Sequence, residues 1–309
     1  MVEAVSAEET GDRSAIRLAM PPRRKPLVLP ADRGYHSDKY PGSRHDPHRT
    51  AIGSSTTSGA AVSTLRDKTA VVTGGATGIG LAIAKRFAAD GAYVFITGRR
   101  QSALDAAVAE IGETVEAVRA DSAELADLDT LYSAVRQRRG SVDIVVANSG
   151  GGVPAALGDI TEEQVDAAFA TNVKGVIFTV QKALPLLNEK ASVILTGSTA
   201  SVRPGPGLSV YAATKAAVRS LARGWAVDLR GRTIRVNVLS PGPTRTPGLL
   251  GIAEPDHRQA LLDTFAAAVP LGRVAEPEEI AGAAAFLASD DASYVNGIEF
   301  FVDGGLAQI

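Results

Sequence analysis

The sequence predicts an α/β protein with a doubly wound parallel sheet over most of its 309 residues. Three observations carry that prediction. Short runs of aliphatic residues are apolar at consecutive positions, as strands buried on both faces require. Longer segments with helical spacing alternate with them along the chain. The first strand ends in a glycine-rich turn that opens a helix, where such sheets bring their backbone close to ligands.

Taken in order, Ala70-Val71-Val72 is a buried strand running into glycines, and Gly80 to Asp90 is a helix closed by Gly91. Tyr93-Val94-Phe95-Ile96 is the next strand. Helix 101–112, strand 115–119 and helix 123–138 follow, then strand Ile144-Val145-Val146. One long helix is expected over 161–188, before strand Val193-Ile194-Leu195, helix 208–230 and strand 234–238. Helices 256–267 and 277–288 and a strand near 298–302 finish the chain. No internal repeat is visible.

Residues 1–62 differ from the rest. They hold 9 Lys+Arg and 7 Asp+Glu, six of the prolines' dividing positions from Pro21 to Pro47, and the run Gly53-Ser54-Ser55-Thr56-Thr57-Ser58-Gly59. Their few apolar residues show no helical or strand period and cannot offset ordering entropy, so a disordered extension is expected. The stretch reads either as upstream sequence before a start near Val62 or as a tail that docks a partner. Residues 63–309 are expected to form one domain.

Composition removes several function classes. The formal charge of −2 gives no basic excess for nucleic acid. With no cysteine, thiolate metal sites, iron–sulfur clusters and a Cys nucleophile are excluded. No apolar run is long enough to cross a membrane, and the acidic first residues do not resemble a secretory signal, so a cytoplasmic place is expected. His45-x2-His48 has metal-ligand spacing, but in a polar, proline-rich segment it reads as solvated, and no metal is expected.

Thr73-Gly74-Gly75-Ala76-Thr77-Gly78-Ile79-Gly80 joins the first strand to the first helix. Glycines there permit a tight turn and close approach to a pyrophosphate, which the helix N-terminus attracts through free N–H groups. Leu81-Ala82 stand where a P-loop needs Lys and Ser/Thr, so this is not one. The second strand ends Ile96-Thr97-Gly98-Arg99-Arg100. An acid at that end would select NAD through the ribose hydroxyls. Arg99, helped by Arg100, instead suits a 2′-phosphate and favours NADP over NAD.

Tyr211-Ala212-Ala213-Thr214-Lys215 places a phenol and an ammonium four residues apart on one helix face. A phenol with a pKa near 10 is a poor acid or base at pH 7. A nearby cation is expected to lower it and make a proton shuttle. Ser198, just past a strand, is placed to hydrogen-bond a substrate oxygen. A hydrolase reading fails because only His257 lies beyond residue 62 and no Gly-x-Ser-x-Gly elbow surrounds Ser198.

Together these residues resemble the short-chain dehydrogenase/reductase family, the branch with the shorter cores, over residues 65–309. The glycine loop, Tyr211-x3-Lys215 and Ser198 match its motifs. Asn172, in Thr171-Asn172-Val173, is similar to the family's relay Asn. Ala147-Asn148-Ser149-Gly150 resembles its Asn-Asn-Ala-Gly stretch, with Ala147 and Ser149 as departures. Pro241-Gly242, Thr244 and Thr246 resemble the segment that meets the nicotinamide carboxamide, and Asp121-Ser122 the place that meets adenine.

The resemblance implies a Rossmann fold and a hydride exchanged between NADP(H) and a carbonyl or secondary alcohol. It implies Tyr211 as acid/base, Ser198 orienting the oxygen, Lys215 holding the ribose and lowering the phenol pKa, and Asn172 positioning a relay water. Cofactor contacts are implied at Thr73, Gly74, Thr77–Gly80, Arg99, Arg100, Asp121, Ser122, Asn148–Gly150, Tyr211, Lys215, Pro241, Gly242, Thr244 and Thr246. Val153 and Leu208 are expected beside the substrate with Ser198 and Tyr211, under a loop spanning 243–268. A small hydrophobic ketone suits that loop; a sugar or a 3-oxoacyl thioester stays open. A catalytically silent NADP-binding regulator is the alternative. A homotetramer is also implied, with Ala170, Val173, Ile177, Ala216 and Val218 facing a partner.

Overall fold

The computed structural model describes residues 65–309, so the expectations for residues 1–62, His45 and His48 included, lie outside the described residues. The chain enters at β1 (Thr69–Val72), a strand buried at all four positions. The glycine turn leads into α1 (Gly78–Ala89). Then come β2 (Tyr93–Gly98), α2 (Gln101–Ile111), β3 (Val115–Arg119), α3 (Leu125–Arg138) and β4 (Val142–Ala147). The second half holds α4 (Glu162–Phe169), α5 (Gly175–Ala183), β5 (Leu187–Thr196), α6 (Ser209–Asp228) and β6 (Arg235–Pro241). Last are α7 (Pro247–Leu250), α8 (Arg258–Ala268), α9 (Pro277–Ala288) and β7 (Glu299–Val302).

The described strands form one parallel sheet in the order β3-β2-β1-β4-β5-β6-β7. Strand order reverses between β1 and β4, which opens a crevice at their carboxyl ends. The alternation of side chains across each strand feeds two cores. Ala70, Val72, Val94, Ile96 and Ile194 pack with Ile83 and Phe87 of α1, Leu104 of α2 and Ile280 of α9. Val71, Phe95, Val145, Val193 and Val236 pack with Leu128 and Leu131 of α3, Val180 of α5 and Val218 of α6. Complete burial of a side chain of this size contributes about 1.5–3 kcal/mol.

The expected helix over 161–188 is not continuous. Between α4 and α5 the backbone widens into a π-helical segment, Ala170–Lys174, around the fully buried Asn172. Such insertions re-aim a helix and often mark functional positions. The helix also stops at Ala183, and β5 begins at Leu187, because Leu187 pairs with Val142 before the register shifts at Ile144. The polar Asn188-Glu189-Lys190 stretch lies on this strand, with Lys190 at positive φ.

Two further expectations change. Val218 is fully buried against the sheet, so it faces no partner; Ala170, Val173, Ile177 and Ala216 are half-buried. Within the segment 243–268 the expected helix over 256–267 forms as α8, but a short unexpected helix, α7, precedes it, opened by a Thr246 cap and a proline, and Leu262 packs inward. Among the described residues no helix is long and apolar enough to cross a membrane.

Candidate active site

The carboxyl ends of β1, β4 and β5 converge on two struts. Thr73, buried just past β1, accepts at Oγ1 from the backbone N–H groups of Asn148 (3.0 Å) and Ser149 (3.1 Å). Asn148 returns the tie, its Nδ2 donating to the carbonyls of Thr73 (3.1 Å) and Gly74 (3.3 Å). Its Oδ1 accepts from Thr196 Oγ1 at 3.2 Å. The Asn148 side chain therefore holds the glycine turn in place. Ser149, one of the departures noted above, gains a partner: Ser122 Oγ donates to its Oγ at 2.8 Å, joining the ends of β3 and β4.

The glycine turn is shaped for an anion. Gly74 and Gly78 have φ of 64° and 56°, a region costly for other residues. A Cβ at Gly80 would lie 2.2 Å from the Gly74 carbonyl oxygen, so the turn closes onto α1 only with glycine there. Thr77 caps α1 without a side-chain hydrogen bond, and no acid occupies the first turn. The leading N–H groups of α1 are thus aimed outward with their positive dipole end. A Cβ at Gly78 would touch the Thr246 side chain at 3.3 Å, which brings the segment after β6 beside the turn. There Gly242 donates to Val302, and Thr244, buried, donates to the Gly242 carbonyl.

At the end of β2, Arg99 and Arg100 are exposed. A Cβ at Gly98 would lie 3.3 Å from Ala76 Cβ, so the end of β2 packs closely on the glycine turn. Arg119, from the end of β3, donates through Nε to the Arg99 carbonyl at 3.1 Å, adding a third cation. Asp121 is half-buried nearby and accepts from the Ala123 N–H.

The second half of the site is built on β5 and α6. Ser198 follows β5 and caps a short 3₁₀ turn, Thr199–Ser201. Its Oγ accepts from the Ala200 N–H at 3.1 Å, which leaves the hydroxyl hydrogen to be donated elsewhere. The neighbouring Ser198 hydroxyl pulls the phenol pKa of Tyr211 down. Burial outweighs it: the Tyr211 pKa lies above its ordinary 10, because the phenolate would lose its hydration. The expected depression by Lys215 is therefore not what governs this phenol. Lys215 stands 5.6 Å from the ring centroid and is itself pulled down to about 8 by burial. Its Nζ donates to the Thr196 carbonyl at 2.8 Å.

Asn172 joins the two halves. Its Nδ2 donates to Gly151 O (2.8 Å) and Thr214 Oγ1 (2.9 Å), and its Oδ1 accepts from Gly151 N (3.0 Å). The loop it holds passes tightly over the phenol: a Cβ at Gly152 would lie 2.9 Å from Tyr211 Cβ. Beside that contact a small pocket is bordered by Val153, Ala155, Ala168, Val210 and Tyr211. Val153 is exposed at its rim, while Leu208 caps α6. The structure thus gathers Ser198, Tyr211, Lys215 and Asn172 at one place, and Arg99 with Arg100 at the far side of the glycine turn. Sequence reasoning missed Arg119, Thr196, Thr214 and Gly152. Only Thr214, inside the Tyr-x3-Lys motif, carried a local signal.

A family model described as enoyl-(acyl carrier protein) reductase matches residues 74–307. Oxidoreductase asL5 of Sarocladium schorii is 53% identical over 251 residues, covering 81% of this chain and 99% of that one. A Serratia marcescens short-chain dehydrogenase/reductase, solved as a double mutant, is 34% identical with a TM-score of 0.74, covering 79% of this chain and 99% of that one. The Brucella melitensis 3-ketoacyl-(acyl-carrier-protein) reductase, solved with NADH, is also 34% identical, with a TM-score of 0.73 and the same coverage.

Proposed function

The chain belongs to the short-chain dehydrogenase/reductase family of oxidoreductases, and on that premise we propose that it interconverts a carbonyl and a secondary alcohol with NADP(H). The observation that carries the reading is the grouping of Ser198 beside the Tyr211 phenol, with Lys215 Nζ 5.6 Å from its ring centroid. Two neighbouring hydroxyls suit a carbonyl oxygen better than an isolated C=C bond.

The site fits a dinucleotide. The turn from Thr73 through Gly80 would hold the pyrophosphate, since its glycines let it close onto the N-terminus of α1. Arg99 and Arg100 would hold a 2′-phosphate, with no acid at the end of β2 to oppose it. Asp121 and Ser122 would meet the adenine, Asn148–Gly150 the adjoining ribose, and Pro241, Gly242, Thr244 and Thr246 the carboxamide. When bound, the cofactor supplies the hydride.

The chain's own residues supply positions and protons. Tyr211 gives its phenolic proton to the substrate oxygen, or takes it in the reverse direction. Ser198, whose Oγ already accepts from Ala200, donates its hydrogen to the same oxygen and stabilises charge there. Lys215 has three donors, one of them spent on Thr196, and turns the others toward the ribose hydroxyls. The Asn172 side chain is fully engaged by Gly151 and Thr214, so its backbone serves the relay water.

The walls near Tyr211, with Val153, Ala155, Ala168 and Val210, favour a small hydrophobic ketone. A homotetramer, carried by the resemblance, and a cytoplasmic place, carried by composition, complete the reading. The test is NADPH oxidation by the purified protein across a panel of carbonyl compounds, with products identified. Turnover of a ketone with NADPH preferred over NADH is expected. NADPH binding with no turnover of any carbonyl would contradict the reading and favour a silent regulator.

A further inference from the structure

A buried carboxylate behind Ser198 is unused by the mechanism above. Glu299 opens β7, opposite Val238 of β6, and its side chain is 6% exposed. One of its oxygens, Oε1, accepts from two serines, Ser201 Oγ at 2.7 Å and Ser240 Oγ at 2.8 Å. The other, Oε2, lies 3.5 Å from Arg219 Nη1. A buried carboxylate costs several kcal/mol unless it is paired and hydrogen-bonded, and this one is both.

The three partners are the two flanks of Ser198 and the helix that bears Tyr211. Downstream, Ser201 ends the 3₁₀ turn that Ser198 begins, and its N–H donates to the Ser198 carbonyl at 2.9 Å. Upstream, Gly197 donates to Leu239 O at 2.7 Å and lies against Ser240, so close that a Cβ there would be 2.3 Å from Ser240 Oγ. Arg219 follows Tyr211 by eight residues and Lys215 by four, on adjacent turns of α6.

We infer that Glu299 is a positioning residue that clamps both flanks of Ser198 through Oε1 and ties them to α6 through Arg219, fixing Ser198 relative to Tyr211. This inference rests on the proposed roles of Ser198 and Tyr211. Without the clamp, the turn moves relative to α6, the two hydroxyls no longer share one oxygen, and the phenol loses the neighbour that lowers its pKa. The groups facing the phenol are Ser198 from the turn and Lys215 from its own helix; the loop 150–152 brings only glycines. The charge facing Glu299 is Arg219.

The test compares Glu299→Ala, Glu299→Gln and Ser201→Ala with the parent, by kcat, KM for NADPH and the pH profile of alcohol oxidation. Glu299→Ala is expected to lose roughly ten- to a hundredfold in kcat, the scale of a small misplacement. Its KM for NADPH should stay within about twofold, and the ascending limb, along which Tyr211 loses its proton, should move to higher pH by about half a unit or more. Glu299→Gln, whose amide oxygen still accepts from both serines but whose NH2 cannot pair with Arg219, should recover part of kcat and of the parent profile. Ser201→Ala removes one tether without emptying the site, so it should shift the profile the same way by less. This variant carries the test if Glu299→Ala fails to fold. A merely structural Glu299 would lower thermal stability and leave the profile unmoved, and that result would overturn the inference, as would a Gln variant no better than Ala. An unchanged profile with an inactive Tyr211→Phe refutes the clamp alone; an active Tyr211→Phe refutes the reading beneath it.

Discussion

Lys215 Nζ donates a 2.8 Å hydrogen bond to the carbonyl of Thr196, the last residue of β5 and two residues before Ser198. The bond orders an ammonium that is otherwise buried at unfavourable cost. Burial brings the Lys215 pKa from 10.5 down to about 8.

That shift has a signature in stability. The folded pKa lies below the unfolded one, so between pH 8 and 10.5 the unfolded chain binds more protons at this site. Stability from Lys215 therefore rises with pH through that window, by up to about 3 kcal/mol. Below pH 8 the group is charged in both states and the penalty is constant. Denaturant unfolding of the parent against Lys215→Met should show the parent gaining on the variant from pH 8 to pH 10, where the raised Tyr211 pKa does not yet intervene. A constant difference would show that Lys215 is solvated.

Thr73→Val should loosen the crevice. Val keeps the shape but removes the oxygen that accepts from the Asn148 and Ser149 N–H groups. Each orphaned donor costs about 1–3 kcal/mol. Calorimetry should show a melting point lower by several degrees, with about 2–4 °C for each kcal/mol. Titration should show weaker dinucleotide binding. An unchanged melting point would mean that water replaces the hydroxyl.

Arg99→Ala should weaken NADPH binding about ten- to hundredfold, the loss of a charge-assisted contact worth roughly 1.5–3 kcal/mol. NADH binding should change by less than about twofold. Arg119→Ala should act in the same direction by less, because Arg119 touches the Arg99 backbone. Fluorescence titration of both cofactors decides this. Equal losses would show that Arg99 does not read the phosphate.

What was legible in the sequence follows from how local its causes are. The glycine turn, the exposed Arg99 and Arg100 after β2, and Tyr211 with Lys215 on one face of α6 depend on residues a few positions apart. The π-helical break at 170–174 depends on bonds from Asn172 to Gly151 and Thr214, 21 and 42 residues away. The start of β5 at Leu187 depends on pairing with Val142, and a polar Asn188-Glu189-Lys190 stretch hides it. The Glu299 clamp joins residues 98 and 59 positions apart. The phenol's raised pKa comes from burial, which no motif encodes. Val218 illustrates the same limit: its place on α6 was readable, but not which face of the helix the sheet covers.

The central claim is that Tyr211 supplies the proton in carbonyl reduction. Its most direct test is Tyr211→Phe, a change of one hydroxyl, assayed by steady-state turnover and NADPH titration on the same preparation. Lys215 and Asn172 keep their partners in that variant, and Ser198 keeps the bond it accepts from Ala200, since these bonds go to Thr196, Gly151, Thr214 and Ala200. The account predicts NADPH affinity within a few-fold of the parent and turnover lower by about three orders of magnitude or more, the scale of lost acid–base catalysis. Turnover in Tyr211→Phe within about tenfold of the parent would contradict it.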